Sequence, residues 1–209
     1  MKKMFLLLIS FVTFFQVTNA QRFSLGCKGG MDFVNIRFDP SSENWGVTNR
    51  LSYDFGLIAY YSPSKLFKIQ YESGFIEKGG QLKFKYVDEK WLFKFGYFSN
   101  QLVLILNPIH QFNIELGVEQ GHTLYGKRVD IPGQIIEYRL SDYKKNDYSA
   151  IIGLGLNFLK SFTLDLRYVY GFTPLEDCFV YVDPGPSYSY EIYNKHISIG
   201  LRYYFLNIK

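Results

Sequence analysis

Apolar and polar side chains alternate along most of this chain. The alternation is clearest in HISIGLRYYF, residues 196–205, where every second position from Ile197 to Phe205 is apolar or aromatic. The positions between them are polar or small and include His196 and Arg202. A repeat of two residues is that of a β-strand, whose successive side chains point to opposite faces. Because no helical repeat is sustained after the first 22 residues, the pattern predicts an all-β fold.

The alternation divides into eight predicted strands. They cover about residues 23–38, 51–61, 66–72, 91–106, 112–119, 148–158, 162–170 and 196–205. The links after the second, fourth and sixth strands are short, at residues 62–65, 107–110 and 159–161, and the other links are long. Short turns at one end and long loops at the other are typical of an outer-membrane barrel. The sequence therefore predicts an eight-stranded antiparallel transmembrane up-and-down β-barrel.

A soluble, secreted β-sandwich is the alternative fold. It also shows a repeat of two and regular turns. A sandwich buries its apolar face between two sheets, whereas a barrel in lipid turns that face outward and must close to satisfy its backbone groups. The Gly-rich, sparse polar face favours the barrel, because it suits a narrow lumen better than a soluble surface.

The first twenty residues have the features of a secretory signal peptide. Lys2 and Lys3 precede an apolar run at residues 4–15, and small residues follow up to Ala20. We predict cleavage after Ala20, which leaves residues 21–209 as the barrel domain. A lipoprotein signal ending at Cys27 is the alternative, but polar residues separate that cysteine from the apolar run. No later stretch of 18 apolar residues occurs, so no transmembrane helix is predicted.

Composition supports a membrane interface and argues against nucleic acid. The chain has 20 Phe, 18 Tyr and 2 Trp, and such aromatic side chains form belts at both rims of membrane proteins. Without Lys2 and Lys3, 21 basic residues stand against 19 acidic ones. Because this charge is nearly balanced and no basic block is present, no nucleic-acid partner is predicted.

The polar face of the strands predicts what fills the barrel. An eight-stranded barrel has an interior just wide enough for side chains. Buried charges of both signs are tolerated there when they are paired, so we predict a network of ion pairs in the lumen, with a proton or solute path as the alternative. The predicted inward residues are Lys28, Asp32, Asp54, Lys68, Glu72, Glu115, Glu119, Asp165, Arg167 and Arg202.

No residue pattern predicts catalysis, a metal or a cofactor. His196 and Ser198 lie on one face, as in a lipid-cleaving His-x-Ser pair, but the strand repeat turns them toward the lumen and no carboxylate follows. His110 and His122 have no metal-ligand spacing. We therefore predict no enzymatic activity.

The chain has two cysteines, Cys27 and Cys178. Export permits a disulfide. However, Cys27 is predicted on the lipid-facing wall and Cys178 in the last outer loop, too far apart for the Cα separation of about 7 Å or less that a disulfide needs. Two free thiols are predicted.

Four segments resemble the small outer-membrane β-barrel proteins of the porin-like, PorT-like type. LGCKGGMDFVNI, residues 25–36, is similar to that family's opening strand. DYSAIIGLGLNFL and FTLDLRYVYGFTPL, residues 147–159 and 162–175, are similar to its penultimate hairpin, and ISIGLRYYF, residues 197–205, to its closing strand. The resemblance implies an eight-stranded barrel integral to the outer membrane, in contact with its lipid and lipopolysaccharide. It implies little about function, because one architecture carries many functions.

The last strand also resembles the signal that the barrel-assembly machinery reads. The polar, Gly, apolar and aromatic positions of that signal fall on Ser198, Gly200, Tyr203 and Phe205. The resemblance implies this machinery as a partner. Residues 206–209 are a departure, since many such barrels end on the aromatic residue.

Two long outer loops are the predicted binding regions. Loop three covers about residues 126–146 and loop four residues 173–193, where FVYV and SYSYEIY flank DPGP as in a β-hairpin. We predict a non-enzymatic, monomeric barrel with a structural role or a protein or glycan partner at these loops. The alternatives are a narrow porin-like channel and an accessory component of a secretion or assembly complex.

Overall fold

The computed structural model describes residues 22–41, 45–84, 90–131, 134–137, 146–180 and 188–208. In these ranges no helix is long and apolar enough to cross a membrane. The strands are β1 (Arg22–Asp39), β2 (Trp45–Thr48), β3 (Arg50–Ser62), β4 (Phe67–Phe84), β5 (Lys90–Ile109), β6 (Phe112–Ile131), β7 (Gln134–Glu137), β8 (Asn146–Leu159), β9 (Phe162–Gly171), β10 (Glu176–Val180) and β11 (Tyr188–Ile208). The predicted signal peptide, residues 1–20, lies outside the described residues.

Eight long strands form a closed ring. Each pairs antiparallel with the next in the order β1, β3, β4, β5, β6, β8, β9 and β11, and β11 returns to pair with β1. Closure gives the backbone groups of every wall strand a partner on both sides, as a bilayer requires. The predicted eight-stranded barrel is confirmed and the sandwich alternative is wrong, since a sandwich has two separate sheets with edges.

The two ends of the barrel differ as predicted. One end carries the short turns between β3 and β4, β5 and β6, and β8 and β9, and the start of β1 meets the end of β11 there, where Phe23 pairs with Ile208. The opposite end carries the long connections, with the short strands β2, β7 and β10. In outer-membrane barrels the short turns are periplasmic, so the long connections are extracellular.

The two faces of the wall have opposite chemistry. On β11, Ile197, Ile199 and Leu201 are each 44% exposed, whereas His196 is 3% and Arg202 is 1% exposed. The apolar side chains therefore face outward to lipid, and the polar ones are enclosed. This arrangement explains why a strand with a continuous apolar face also carries His and Arg.

Three strands are longer on the extracellular side than the sequence predicts. β4 continues to Phe84, β6 continues to Ile131 and β11 begins at Tyr188. Loop three consequently begins later than residue 126, because β7 pairs with the end of β6. Above the membrane the outer face contacts water and does not need to be apolar. The strands therefore continue to pair by hydrogen bonds where the alternation of apolar and polar residues has ended.

The predicted hairpin in loop four is present in its described part. Glu176–Val180 pairs antiparallel with residues 188–192 at the start of β11. The DPGP segment, residues 183–186, lies outside the described residues. The hairpin raises the sheet beyond the barrel wall on the extracellular side.

The extracellular part of the barrel interior is apolar, whereas the sequence predicts a polar filling. Phe93, Phe95 and Tyr97 on β5 point inward and are almost fully buried. Their cluster is completed by five residues from three other strands and the segment after β9: Ile36, Ile76, Leu82, Leu175 and Ile192. The fourth predicted strand shows the weakest alternation because both of its faces are mostly apolar.

The structure separates the two cysteines. Cys27 is exposed on the outer face and free, and its backbone pairs with Tyr203 of β11. Cys178 pairs with Tyr190 of the same strand. Tyr190 and Tyr203 are thirteen residue steps apart along β11, roughly 40 Å at about 3.3 Å per residue, so a bond between the cysteines is geometrically excluded.

Candidate functional site

Arg167 connects opposite walls of the lumen. It projects inward from β9, and β4 lies four strands away in either direction around the ring. Its Nη2 lies 2.5 Å from Glu72 Oε1 of β4 and its Nη1 lies 2.9 Å from Glu72 Oε2. This bidentate geometry is the strong form of an Arg–carboxylate pair. Gly153 makes room for it, since a Cβ there would lie 2.8 Å from Arg167 Cγ.

Further ion pairs surround Arg167 at the level of the membrane. Glu115 of β6 binds both Arg167, through Nε at 2.8 Å, and Arg202 of β11. Arg202 Nε also lies 3.0 Å from Asp165 Oδ2. On the other side, Lys28 Nζ lies 2.8 Å from Glu72 Oε2 and 2.7 Å from an Asp54 oxygen. Six of the eight wall strands, β1, β3, β4, β6, β9 and β11, are thus joined through charged side chains in the lumen.

A second cluster lies closer to the extracellular end. Lys78 of β4 binds Glu119 of β6, and its Nζ lies 2.9 Å from Asp147 Oδ2 of β8. Asn194 Nδ2 donates to the same Asp147 oxygen at 2.9 Å. Gln101 joins the two clusters, because its Nε2 donates to Glu119 at 2.6 Å while its Oε1 accepts from Arg167 at 2.9 Å.

The structure brings eight of the ten predicted lumen residues into these ion pairs and places two elsewhere. The eight are Lys28, Asp54, Glu72, Glu115, Glu119, Asp165, Arg167 and Arg202. Asp32 is fully buried on the inner face, and its carboxylate oxygens make no hydrogen bond to the described residues. Lys68 is half-buried near the periplasmic end, with Nζ 4.9 Å from the Tyr60 ring centre.

Sequence reasoning missed Lys78, Asp147 and Gln101. The predicted third strand ended near residue 72 and the sixth began at residue 148, so the first two fell in loops. Extending the alternation of Gln70 and Glu72 by three steps would have placed Lys78 inside. Gln101 was missed because the fourth strand gave no clear inner face.

The interior holds more acidic than basic side chains. Among the described residues, three basic and seven acidic side chains are buried, and a fourth basic side chain, Lys28, is half-buried. They are Lys28, Lys78, Arg167 and Arg202, against Asp32, Asp54, Glu72, Glu115, Glu119, Asp147 and Asp165. An acidic interior favours cations over anions. In the described part of the chain, no group of three or more His, Cys, Asp or Glu side chains has the arrangement of a metal site.

His196 and Ser198 lie on the inner face of the wall. They are 3% and 7% exposed, respectively. The two side chains are therefore enclosed, on the opposite side of the sheet from the lipid that a lipid-cleaving site would have to reach.

The residues that resemble an assembly signal divide between the two faces. Ser198 is buried inside, and Gly200 is next to the Asp165 carboxylate, which lies 2.8 Å from where a Cβ would be. Tyr203 and Phe205 point outward and are 40% and 56% exposed. β11 continues past Phe205, and residues 206–208 pair with the start of β1.

A closed ring of eight antiparallel strands, apolar outside and charged inside, defines an integral outer-membrane β-barrel. The chain belongs to the outer membrane protein beta-barrel domain family, whose model matches residues 14–177. The finer PorT-like resemblance stays a prediction. Comparison with curated proteins gives no match to this sequence.

Solved structures share the fold. The attachment invasion locus protein Ail of Yersinia pestis superposes with a TM-score of 0.51 at 14% identity, over 90% of this chain and 100% of Ail. Ail in complex with the heparin analogue sucrose octasulfate gives 0.51 at 15% identity, over 89% and 99%. OprG of Pseudomonas aeruginosa gives 0.46 at 12% identity, over 89% and 96%. At these identities the likeness to Ail concerns the fold alone.

Proposed function

We propose that the protein is a non-enzymatic outer-membrane barrel with a filled lumen, and that its extracellular hairpins bind a protein or glycan partner. The observation that carries the proposal is the contact of Arg167 with Glu72 across the full width of the lumen. Since the interior is occupied by its own side chains, the surface left for interaction is the part above the membrane.

The filling of the lumen supports this proposal over a channel. A solute path would require breaking buried ion pairs, and separating one such pair costs about 3–5 kcal/mol. Above the ion pairs, the apolar cluster around Phe93 and Phe95 would also have to open. The ion pairs and the apolar cluster both cross the interior of the barrel, and the apolar cluster lies on the extracellular side of the ion pairs.

The extracellular hairpins support a binding role. In the described part of the chain, β7 pairs only with β6, and β10 pairs only with β11. Each therefore presents an edge that can accept a strand from a protein partner. For Ail, a structure with a heparin analogue exists, and a sulfated glycan is accordingly the glycan class to test first.

Planar-bilayer recording tests the filled lumen. We expect the purified mature protein to give no steady single-channel steps, because the ion pairs and the apolar cluster close the interior. The double variant Lys78→Met/Arg167→Met serves as the control, because it removes one cation from each of the two clusters. Steady, cation-selective steps from the wild-type protein would establish the narrow-channel alternative.

Shortening the loop-four hairpin tests the binding role. We expect replacement of residues 177–190 by Asn-Gly to leave a heat-modifiable barrel but to lower binding to a sulfated-glycan or extracellular-protein array by about tenfold or more, a loss of at least about 1.4 kcal/mol. The matched control places Asn-Gly at the periplasmic turn, residues 160–161. Equal binding by both variants would contradict a role for this hairpin.

Other parts of the proposal concern export and assembly. We propose a monomer that is exported by a signal peptide cleaved after Ala20 and inserted by the barrel-assembly machinery through the closing strand. Co-purification of a large, defined partner complex in mild detergent would instead support the accessory-component alternative.

A further inference from the structure

Three buried carboxylate oxygens on β1 and β3 make no hydrogen bond to the described residues. They are both oxygens of Asp32 and the Oδ1 atom of Asp54. Asp32 is 0% exposed and Asp54 is 6% exposed, so neither carboxylate reaches solvent. A buried charged oxygen without a partner is strongly unfavourable. These oxygens are therefore the atoms of the lumen that most need a positively charged ligand.

The strand register places the two carboxylates on one patch of the inner wall. Gly30 of β1 pairs with Asp54 of β3 on one side and with Gly200 of β11 on the other. A Cβ at Gly30 would collide with Asp54 Oδ1, so this carboxylate lies over the glycine backbone. Asp32 is the next inward position of β1, and Ser198 is opposite it on β11. Two carboxylates and one hydroxyl thus border a part of the wall formed by glycine.

The charged groups around Asp32 are mainly acidic. Those that act on its carboxylate most strongly are Asp54 and Glu119, which are both negative, and Lys28. The ammonium group of Lys28 is already engaged, because its Nζ lies 2.7 Å from Asp54 Oδ2 and 2.8 Å from Glu72 Oε2. The positive charge of one lysine is therefore shared among three carboxylates.

Two polar side chains of β11 do not supply the balance. Ser198 has one hydroxyl proton to donate, whereas an ionised carboxylate has about four acceptor sites. His196 is also buried, but the charges that act on it most strongly are Lys78 and Glu119 of the second cluster. Within the described residues, Asp32 thus lies between the two clusters of ion pairs without a cation of its own.

We propose that Asp32 and Asp54 bind one alkali-metal cation, such as sodium, in the middle of the lumen, with the Ser198 hydroxyl as a third protein ligand. Hard cations take oxygen ligands, and two carboxylates with one hydroxyl are few for calcium, which takes about six to eight oxygens. A cation with a single charge needs fewer anionic ligands. A single proton would satisfy one of the three oxygens, whereas a cation between the carboxylates contacts all of them.

The excess of acidic side chains in the lumen supports the same ligand. Seven acidic side chains stand against four basic ones in the described interior, and a bound cation reduces this excess. Because the lumen is filled on both sides of the site, we expect the ion to be bound during folding and to exchange slowly. The site does not depend on a partner at the extracellular hairpins.

The test uses the full mature protein refolded into detergent at constant pH, in sodium chloride or in the same concentration of N-methyl-D-glucamine chloride, whose cation is too large for the site. The variant is Asp32→Asn, which keeps the size of the side chain and removes its charge. The matched control is Asp39→Asn, an exposed carboxylate on the same strand. The readouts are the midpoint temperature of heat-modifiability and the sodium retained after gel filtration, counted by elemental mass spectrometry.

We expect the wild type and the Asp39→Asn control to retain one sodium ion per barrel and the Asp32→Asn variant to retain none. Sodium at about a hundred times its dissociation constant should raise the midpoint of the wild type by about 5 °C or more. In N-methyl-D-glucamine chloride the Asp32→Asn variant should be at least as heat-stable as the wild type, because an unpaired buried charge is gone.

A second variant, Ser198→Ala, keeps both carboxylates and so tests the position of the ion if Asp32→Asn does not refold. We expect it to retain sodium with an affinity about tenfold lower, because one ligand is lost. Unchanged affinity would place the ion away from Ser198 and overturn the proposed ligand set.

Three further results would overturn the proposal. The first is a wild-type protein that retains no sodium and has the same midpoint in both salts, which would mean that a proton neutralises Asp32. The second is equal retention of sodium by the wild type and Asp32→Asn, which would place the ion elsewhere in the lumen. The third is the same loss of sodium in the Asp39→Asn control, which would mean a general effect of surface charge.

Discussion

Replacing Arg167 with methionine should destabilise the folded barrel by about 3–5 kcal/mol, the cost of breaking a buried ion pair from one side. Methionine approximates the length of the side chain but removes its five donors. Glu72, Glu115 and Gln101 would each lose a hydrogen-bond partner, and two buried carboxylates would lose part of their counter-charge. The loss should be large because a desolvated carboxylate cannot recover its interaction with water.

Guanidinium titration in lipid vesicles measures this effect, with the folded fraction read from the mobility of unboiled samples on a gel. The control is Lys160→Met, which removes a positive charge at an exposed periplasmic turn and should change stability by less than about 0.5 kcal/mol. A loss at Arg167 no larger than the loss at Lys160 would contradict the proposed role of the ion pairs in holding the lumen together.

A double variant distinguishes the interaction between Arg167 and Glu72 from a general disruption of the fold. In Glu72→Gln/Arg167→Met, the most closely paired carboxylate is neutralised together with its cation. We expect the double variant to lose less stability than the two single variants combined, because neighbours in one network are not additive. Simple additivity would mean that Arg167 and Glu72 do not interact in the folded protein.

The fold could be predicted where lipid constrains the sequence. In the membrane band one face must be apolar, so alternation, strand count and inward phase could be read from segments such as residues 196–205. Above the membrane that constraint ends, and this is where β4, β6 and β11 extend beyond their predicted ends. Lys78 was missed for this reason, although it is one of the most deeply buried charges.

The sequence predicted which residues face the lumen, but it did not predict which of them contact each other. Arg167 and Glu72 are 95 residues apart in sequence, and their contact depends on closure of the ring and on the relative shift of every strand pair between them. Alternation alone does not determine that shift, since moving one strand by two residues preserves the phase. The apolar cluster was missed because an inward Phe93 looks the same in sequence as an outward one.

The surroundings of the strand glycines also could not be predicted from the sequence. A glycine has no side chain, so its residue type does not indicate which atoms lie next to it. Gly74 and Gly56 face each other across β4 and β3. A Cβ at Gly74 would lie 2.1 Å from the Phe55 carbonyl oxygen and 2.5 Å from Gly56 Cα, both backbone atoms that side-chain rotation cannot move. The close approach of these two strands therefore depends on glycine.

Gly74→Val should consequently destabilise the barrel by about 1–3 kcal/mol or more, the usual range for an overpacked site, despite the high strand propensity of valine. The same guanidinium titration measures the loss. Gly46→Val is the matched control, because a Cβ at Gly46 meets no atom within 4 Å and valine there should be neutral or favourable. If both substitutions changed the stability of the barrel equally, the close approach of β3 and β4 at Gly74 would not be the cause of the loss. A large loss of stability at Gly74 alone would mean that the close approach of β3 and β4, and not only the charges in the lumen, restricts which residues the barrel accepts.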